Sequence, residues 1–121
     1  MPNTNKMIGR FESKPKTQAM FRHIDDYIRS LGPVETEVKS QMSYKRRRKF
    51  VWMWSYEKTK DGTLFLAFLL DRKCDADCIH TSTQVSKNRW NHTIVLTSLA
   101  DAKNKGLAAV LLDAYHFAGT Q

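Results

Sequence analysis

Seven consecutive apolar residues, Leu64-Phe65-Leu66-Ala67-Phe68-Leu69-Leu70, follow an Asp61-Gly62 turn and stop at the charged pair Asp71-Arg72. A strand alternates its side chains between two faces, so a run this short and this uniform reads as a strand that needs cover on both. One layer of helices hides only one face of a sheet. The second face therefore calls for the N-terminal segment, a second copy of the chain or a ligand, because exposed apolar patches mark interaction surfaces. The run also falls far short of the roughly 20 residues that carry a helix across a bilayer.

The neighbouring segments repeat with the same period of two. Phe50-Val51-Trp52-Met53-Trp54-Ser55-Tyr56 puts Phe50, Trp52, Trp54 and Tyr56 on one side of a sheet and Val51 and Met53 on the other. Lys58 to Gly62 turns this strand into the apolar one, and Val34 to Tyr44 alternates apolar and polar residues as one strand before it. Thr81 to Val85 and Arg89 to Thr97, joined at Ser86-Lys87-Asn88, complete a count of about five. On the last of them Trp90, His92, Ile94 and Leu96 share a face.

Helical periodicity appears at the two ends. Met20, Phe21, Ile24, Tyr27, Ile28 and Leu31 recur at three- and four-residue steps, with Arg22, Asp25, Asp26 and Arg29 opposite, until Gly32-Pro33 stops the helix. The final helix runs from about Leu99 to Ala118, opened by Ser98 and Asp101 as a variant capping box. Residues 1–16 hold two of the three prolines and no periodicity, which reads as a flexible basic arm with Phe11 as its anchor. The expected architecture is a single α+β domain over residues 17–121: an antiparallel sheet of about five strands, with N- and C-terminal helices (α-β5-α) packed on one face.

Charge supplies the functional signal. The net charge of +8 is concentrated, since residues 1–16 carry four positive and one negative charge and residues 34–50 carry six and two. Lys45-Arg46-Arg47-Arg48-Lys49 leads straight into the aromatic strand. Five like charges in one short turn repel one another, so the expectation is an outward cationic tip that an anionic partner stabilises. The N-terminus lacks an apolar stretch of signal-peptide length, and with two cysteines, too few for a disulfide framework, a cytoplasmic location is expected.

Three stretches of sequence carry a resemblance: Lys45 to Trp52, then Val85-Ser86-Lys87-Asn88-Arg89-Trp90-Asn91-His92, then Leu111-Leu112-Asp113-Ala114-Tyr115. In this order they resemble the bacterial domain of unknown function family DUF5655, over about Phe21 to Ala118. The resemblance implies no assigned activity, and members stand alone or attached to predicted nucleases. More distantly, Arg89-Trp90-Asn91 followed by a helix ending in Asp113-Ala114-Tyr115 is similar to the YjbR-like double-wing family. That likeness implies a helix, sheet, helix arrangement of frataxin-like fold and a proposed role in DNA binding. Neither family supplies a catalytic residue to carry over.

The first candidate partner is nucleic acid or another polyanion. Lys45, Arg46, Arg47, Arg48 and Lys49 would track phosphates, with Arg72, Lys87 and Arg89 as outlying contacts. Trp52 and Trp54 would stack on unpaired bases if exposed; the plainer reading makes them sheet core. A second class is a protein-interaction or small-ligand module, homodimeric in one version, that uses the apolar sheet face. A third is metal binding by Asp71, Cys74, Asp75, Asp77, Cys78 and His80, whose Cys-x3-Cys-x-His order is no familiar zinc spacing, so no metal site and no cofactor is assigned. His23, His80, His92 and His116 sit in no catalytic motif, and His92 reads as a packed, hydrogen-bonded strand residue. The expected role is therefore a non-catalytic binding domain without membrane attachment.

Overall fold

A computed structural model describes residues 2–120. Met1 and Gln121, the outer ends of the expected arm and domain, lie outside the described residues. The elements are α1 (Pro2–Arg10), α2 (Pro15–Leu31), β1 (Glu35–Val38), β2 (Met42–Lys45), β3 (Lys49–Trp54), β4 (Leu64–Leu70), β5 (Thr81–Ser86), β6 (Arg89–Leu96), α3 (Leu99–Ala102) and α4 (Lys105–Ala118). Six strands form one antiparallel sheet in the order β1-β2-β3-β4-β6-β5, so the apolar β4 lies between β3 and β6 as its sequence demands. The α+β architecture holds, with one more strand than expected.

The extra strand comes from a turn that carries no glycine or proline. Val34 to Tyr44 folds back at residues 39–41, where the Lys39 amide donates to the Gln41 carbonyl at 2.9 Å, and β1 then pairs with β2 from Glu35↔Lys45 to Val38↔Met42. The final helix likewise breaks after Ala102, because the Asn104 side chain accepts from the amides of Gly106 and Leu107 and starts α4 afresh. At α3 the Ser98 hydroxyl accepts from the Asp101 amide, and the Asp101 carboxylate accepts from the amide and hydroxyl of Thr97.

The N-terminal segment departs furthest from expectation. Instead of an arm without periodicity, residues 2–10 form a helix, and Met7 and Phe11 enter the core, the Phe11 ring lying 5.6 Å from that of Phe21. Asp25, expected on the solvent face of α2, is buried beneath this helix: it accepts from Tyr44 Oη at 2.6 Å, Thr4 Oγ1 at 2.9 Å and Arg29 Nε at 3.1 Å. A buried carboxylate needs such a complete set of donors. The network ties α1, α2 and β2 together.

The core fills the space between helices and sheet. Val51, Met53, Leu64, Leu66, Phe68, Leu70, Ile94 and Leu96 line the helix-facing side, with Met20, Ile24, Leu107, Leu111 and Ala114 opposite. His92 belongs to this core, stacked 4.7 Å from Phe68, and its Nε2 accepts from the Cys74 amide at 2.9 Å. Burial lowers its pKa and keeps the imidazole neutral. At the end of α2, Gly32 adopts φ 148°, and a Cβ there would collide with the Tyr115 hydroxyl.

Candidate nucleic-acid interface

Register divides the side chains of β3. Val51 pairs with Phe68 and Met53 with Leu66 on the helix side, whereas Trp52 pairs with Ala67 and Trp54 with Phe65 on the far side. Phe50 breaks the alternation, because β2 pairs Tyr44 with Val51 but Lys45 with Lys49, which leaves Phe50 as the extra residue of a β-bulge. The bulge turns Phe50 into the core, fully buried and edge-on to Tyr115 at 5.9 Å. The aromatic face expected from simple alternation thus loses Phe50 and keeps Trp52, Trp54 and Tyr56.

None of the described helices covers that face. α1, the candidate cover, packs against α2 and β1 on the helix side, where Asn3 donates to Thr36. Trp52, Trp54, Phe65, Leu69 and Val95 are half-buried, and Tyr56 and Val85 are exposed. Trp54 stacks on Phe65 at 5.8 Å with 16° between planes, and Tyr56 tilts against Phe65 at 5.5 Å. A trough of about 540 Å³ runs along this face, lined by Trp52, Trp54, Leu69 and Val85 with Arg48, Lys49 and Arg89 at its rim.

The basic turn is not the single cationic tip that its sequence suggests. Arg46 lays its guanidinium 4.0 Å from the Tyr115 ring centroid and donates to the Tyr115 carbonyl at 3.0 Å. Arg48 lies 4.6 Å over Phe117 and donates to the Thr120 carbonyl at 2.9 Å, and the Arg47 amide donates to the Ala118 carbonyl at 3.0 Å. The Arg46 side chain and the Arg47 amide satisfy carbonyls that the end of α4 leaves without helical partners, where its dipole also favours positive charge, and Arg48 binds the carbonyl of Thr120 just beyond it. Gly119 leaves room for this arrangement, since a Cβ there would push the Arg46 guanidinium aside. Lys45, Arg46 and Arg47 line a groove with Pro33 and Val34, away from the tryptophans. Lys49 pairs with Glu37 at 3.1 Å, and this hydrogen bond holds the Glu37 carboxyl below its usual range.

A second group of cations converges instead. Arg72 at the end of β4, Lys87 and Arg89 at the β5–β6 turn and Arg48 before β3 line an end cleft of about 820 Å³ whose other wall is α4. Arg72 is held by Asp71 at 2.9 Å and Asp113 at 3.3 Å. The side chains of Lys87 and Arg89 make no ion pair or hydrogen bond among the described residues. Arg48 and Arg89 line both the cleft and the trough. Arg72, Lys87 and Arg89 looked peripheral in sequence, and only the register of β4 and β6 brings them beside Arg48.

The cysteine-bearing loop offers no comparable centre. Among the described residues no three of His, Cys, Asp or Glu converge as metal ligands, and burial pushes the Cys78 thiol up. No helix among the described residues is long and apolar enough to cross a membrane.

A family model for a domain of unknown function (DUF5655) matches residues 9–118. No curated protein and no solved structure matches the chain.

Proposed function

We propose, for a chain that belongs to the DUF5655 family, a non-catalytic role in binding single-stranded nucleic acid across the open face of its sheet. Unpaired bases stack on Trp52 and Trp54, and Arg89, without a side-chain partner among the described residues, holds the backbone at the rim, while Arg48 and Lys49 add positive charge there from their contacts with Thr120 and Glu37. The observation that supports this best is that Arg48 and Arg89 border the same trough as both tryptophans. Aromatic rings on a sheet face with cations at its edge suit single strands, because a duplex hides the faces of its bases. The distant likeness to a family proposed to bind DNA fits the same reading. Lys45, Arg46 and Arg47 contribute long-range attraction rather than contact.

Fluorescence anisotropy of labelled single-stranded DNA and RNA octamers and of a DNA duplex tests the proposal. Single strands should bind more tightly than duplex, with affinity falling as salt rises. Arg89→Ala should lower the slope of log affinity against log salt by about 1. Trp54→Ala should cost about 1–3 kcal/mol at any salt. Equal affinities for the wild type and both variants would refute it.

A second reading has one specific observation in its favour. Trp54, Phe65, Tyr56 and Val95 form a continuous apolar surface that a second copy of the chain would bury. Sedimentation velocity across a wide concentration range separates the two, since self-association that Phe65→Ser abolishes, with no affinity for oligonucleotide, favours the dimer.

A further inference from the structure

We infer that the end cleft is a subsite for a terminal phosphate monoester, the phosphorylated end of a strand or a nucleoside monophosphate, rather than a passage for the interior of a strand. This rests on the single-strand reading for its approach route, though the subsite stands on its own geometry.

Four cationic side chains and two carboxylates line the cleft, and both carboxylates are taken up by Arg72. Lys87 and Arg89 stand at the turn without partners among the described residues, so their donors are available to a ligand. Arg72 is fixed by Asp71 and Asp113, and a guanidinium already clamped in place loses little freedom when it binds an anion. A phosphate monoester carries a charge of about −1.5 to −2 near neutral pH, against about −1 for the diester within a strand. A cleft with an excess of cations favours the more highly charged end.

The walls argue against a strand passing through. A chain leaving the trough past Arg48 and Arg89 rounds the end of the sheet and meets α4, whose residues Asp113, His116 and Phe117 form the far wall of the cleft. The Asp71 and Asp113 carboxylates accept hydrogen bonds from sugar hydroxyls or base amino groups, which suits one terminal nucleoside beside its phosphate. The volume of about 820 Å³ is ample for one nucleotide, and the cleft stands open to solvent.

The test uses the whole chain and an internally labelled octamer in linear form with a phosphate at either end, in linear form with hydroxyl ends, and as a closed circle. A nucleoside monophosphate and its parent nucleoside are titrated separately. A terminal phosphate should tighten binding by about tenfold, the worth of one charge-assisted hydrogen bond. Lys87→Ala should erase that increment and leave the hydroxyl-ended octamer within about twofold of wild type, since Lys87 lines the cleft but not the trough. Trp54→Ala should weaken all three octamers alike. Equal affinity for phosphorylated, hydroxyl-ended and circular octamers would overturn the inference, as would an increment that survives Lys87→Ala. If the octamers fail to bind while the monophosphate binds through Lys87, the single-strand reading falls and the subsite stands. Octamer binding blind to strand ends does the opposite, removing the subsite and leaving the single-strand platform in place.

Discussion

Arg46→Ala separates the structural cations of the basic turn from the rest. The substitution removes a charged donor 3.0 Å from the Tyr115 carbonyl and a guanidinium 4.0 Å from the Tyr115 ring centroid. A hydrogen bond involving a charged group contributes about 1.5–3 kcal/mol and a cation–π contact at a partly exposed site about 0.5–1 kcal/mol. Arg46 is half-buried, and water replaces part of both interactions once the side chain is cut, so the expected loss is about 2 kcal/mol. For a domain of this size that lowers Tm by about 6–10 °C. Arg47→Ala is the control: only its backbone amide contacts α4 and its side chain is exposed, so the expected change is within about 0.5 kcal/mol. Urea denaturation followed by far-UV circular dichroism measures both variants. Equal losses for the two, or no loss for Arg46→Ala, would refute the assignment of Arg46 to the end of α4.

Other outcomes follow from the same packing. Gly32→Ala should destabilise the fold by about 1–3 kcal/mol, through its positive φ and the collision with the Tyr115 hydroxyl, and Tyr115→Phe in the same chain should restore part of the loss on chemical denaturation. Asp25→Ala leaves Arg29 and Tyr44 without their acceptor and should cost about 2–4 kcal/mol, read by the same method, because Arg29 keeps some access to water. Burial holds the His92 pKa below its usual value, so its contribution to stability is whole above about pH 6.5 and is lost as pH falls from there toward the lowered folded value. Urea midpoints that stay level between about pH 7.5 and 5.5 would contradict a buried neutral imidazole.

Much of this fold is legible in the sequence because period and burial agree. α2, β4 and β6 lie close to where their patterns place them, and His92 is the packed strand residue its neighbours imply. The failures have physical causes that no local pattern carries. The hairpin at residues 39–41 turns without glycine or proline, and α1 is held by Met7, Phe11 and the partners of Asp25, all distant in sequence. The bulge at Phe50 depends on the pairing of β2 with β3, and it changes which rings face solvent. The basic turn misleads most: charge counting treats five cations alike, whereas the carbonyls at the end of α4 and just beyond it claim Arg46 and Arg48. The convergence of Arg72, Lys87 and Arg89 is a product of topology, set when β4 and β6 pair from Leu64↔Leu96 to Leu70↔Trp90.

The most direct measurement is intrinsic tryptophan fluorescence of a Trp90→Phe chain, in which only Trp52 and Trp54 report, titrated with a single-stranded homopolymer at low salt. Stacking on the open face predicts saturable quenching that Arg89→Ala weakens and added salt reverses. Fluorescence that stays constant at saturating homopolymer, with the chain folded by circular dichroism, would contradict a nucleic-acid platform on this sheet.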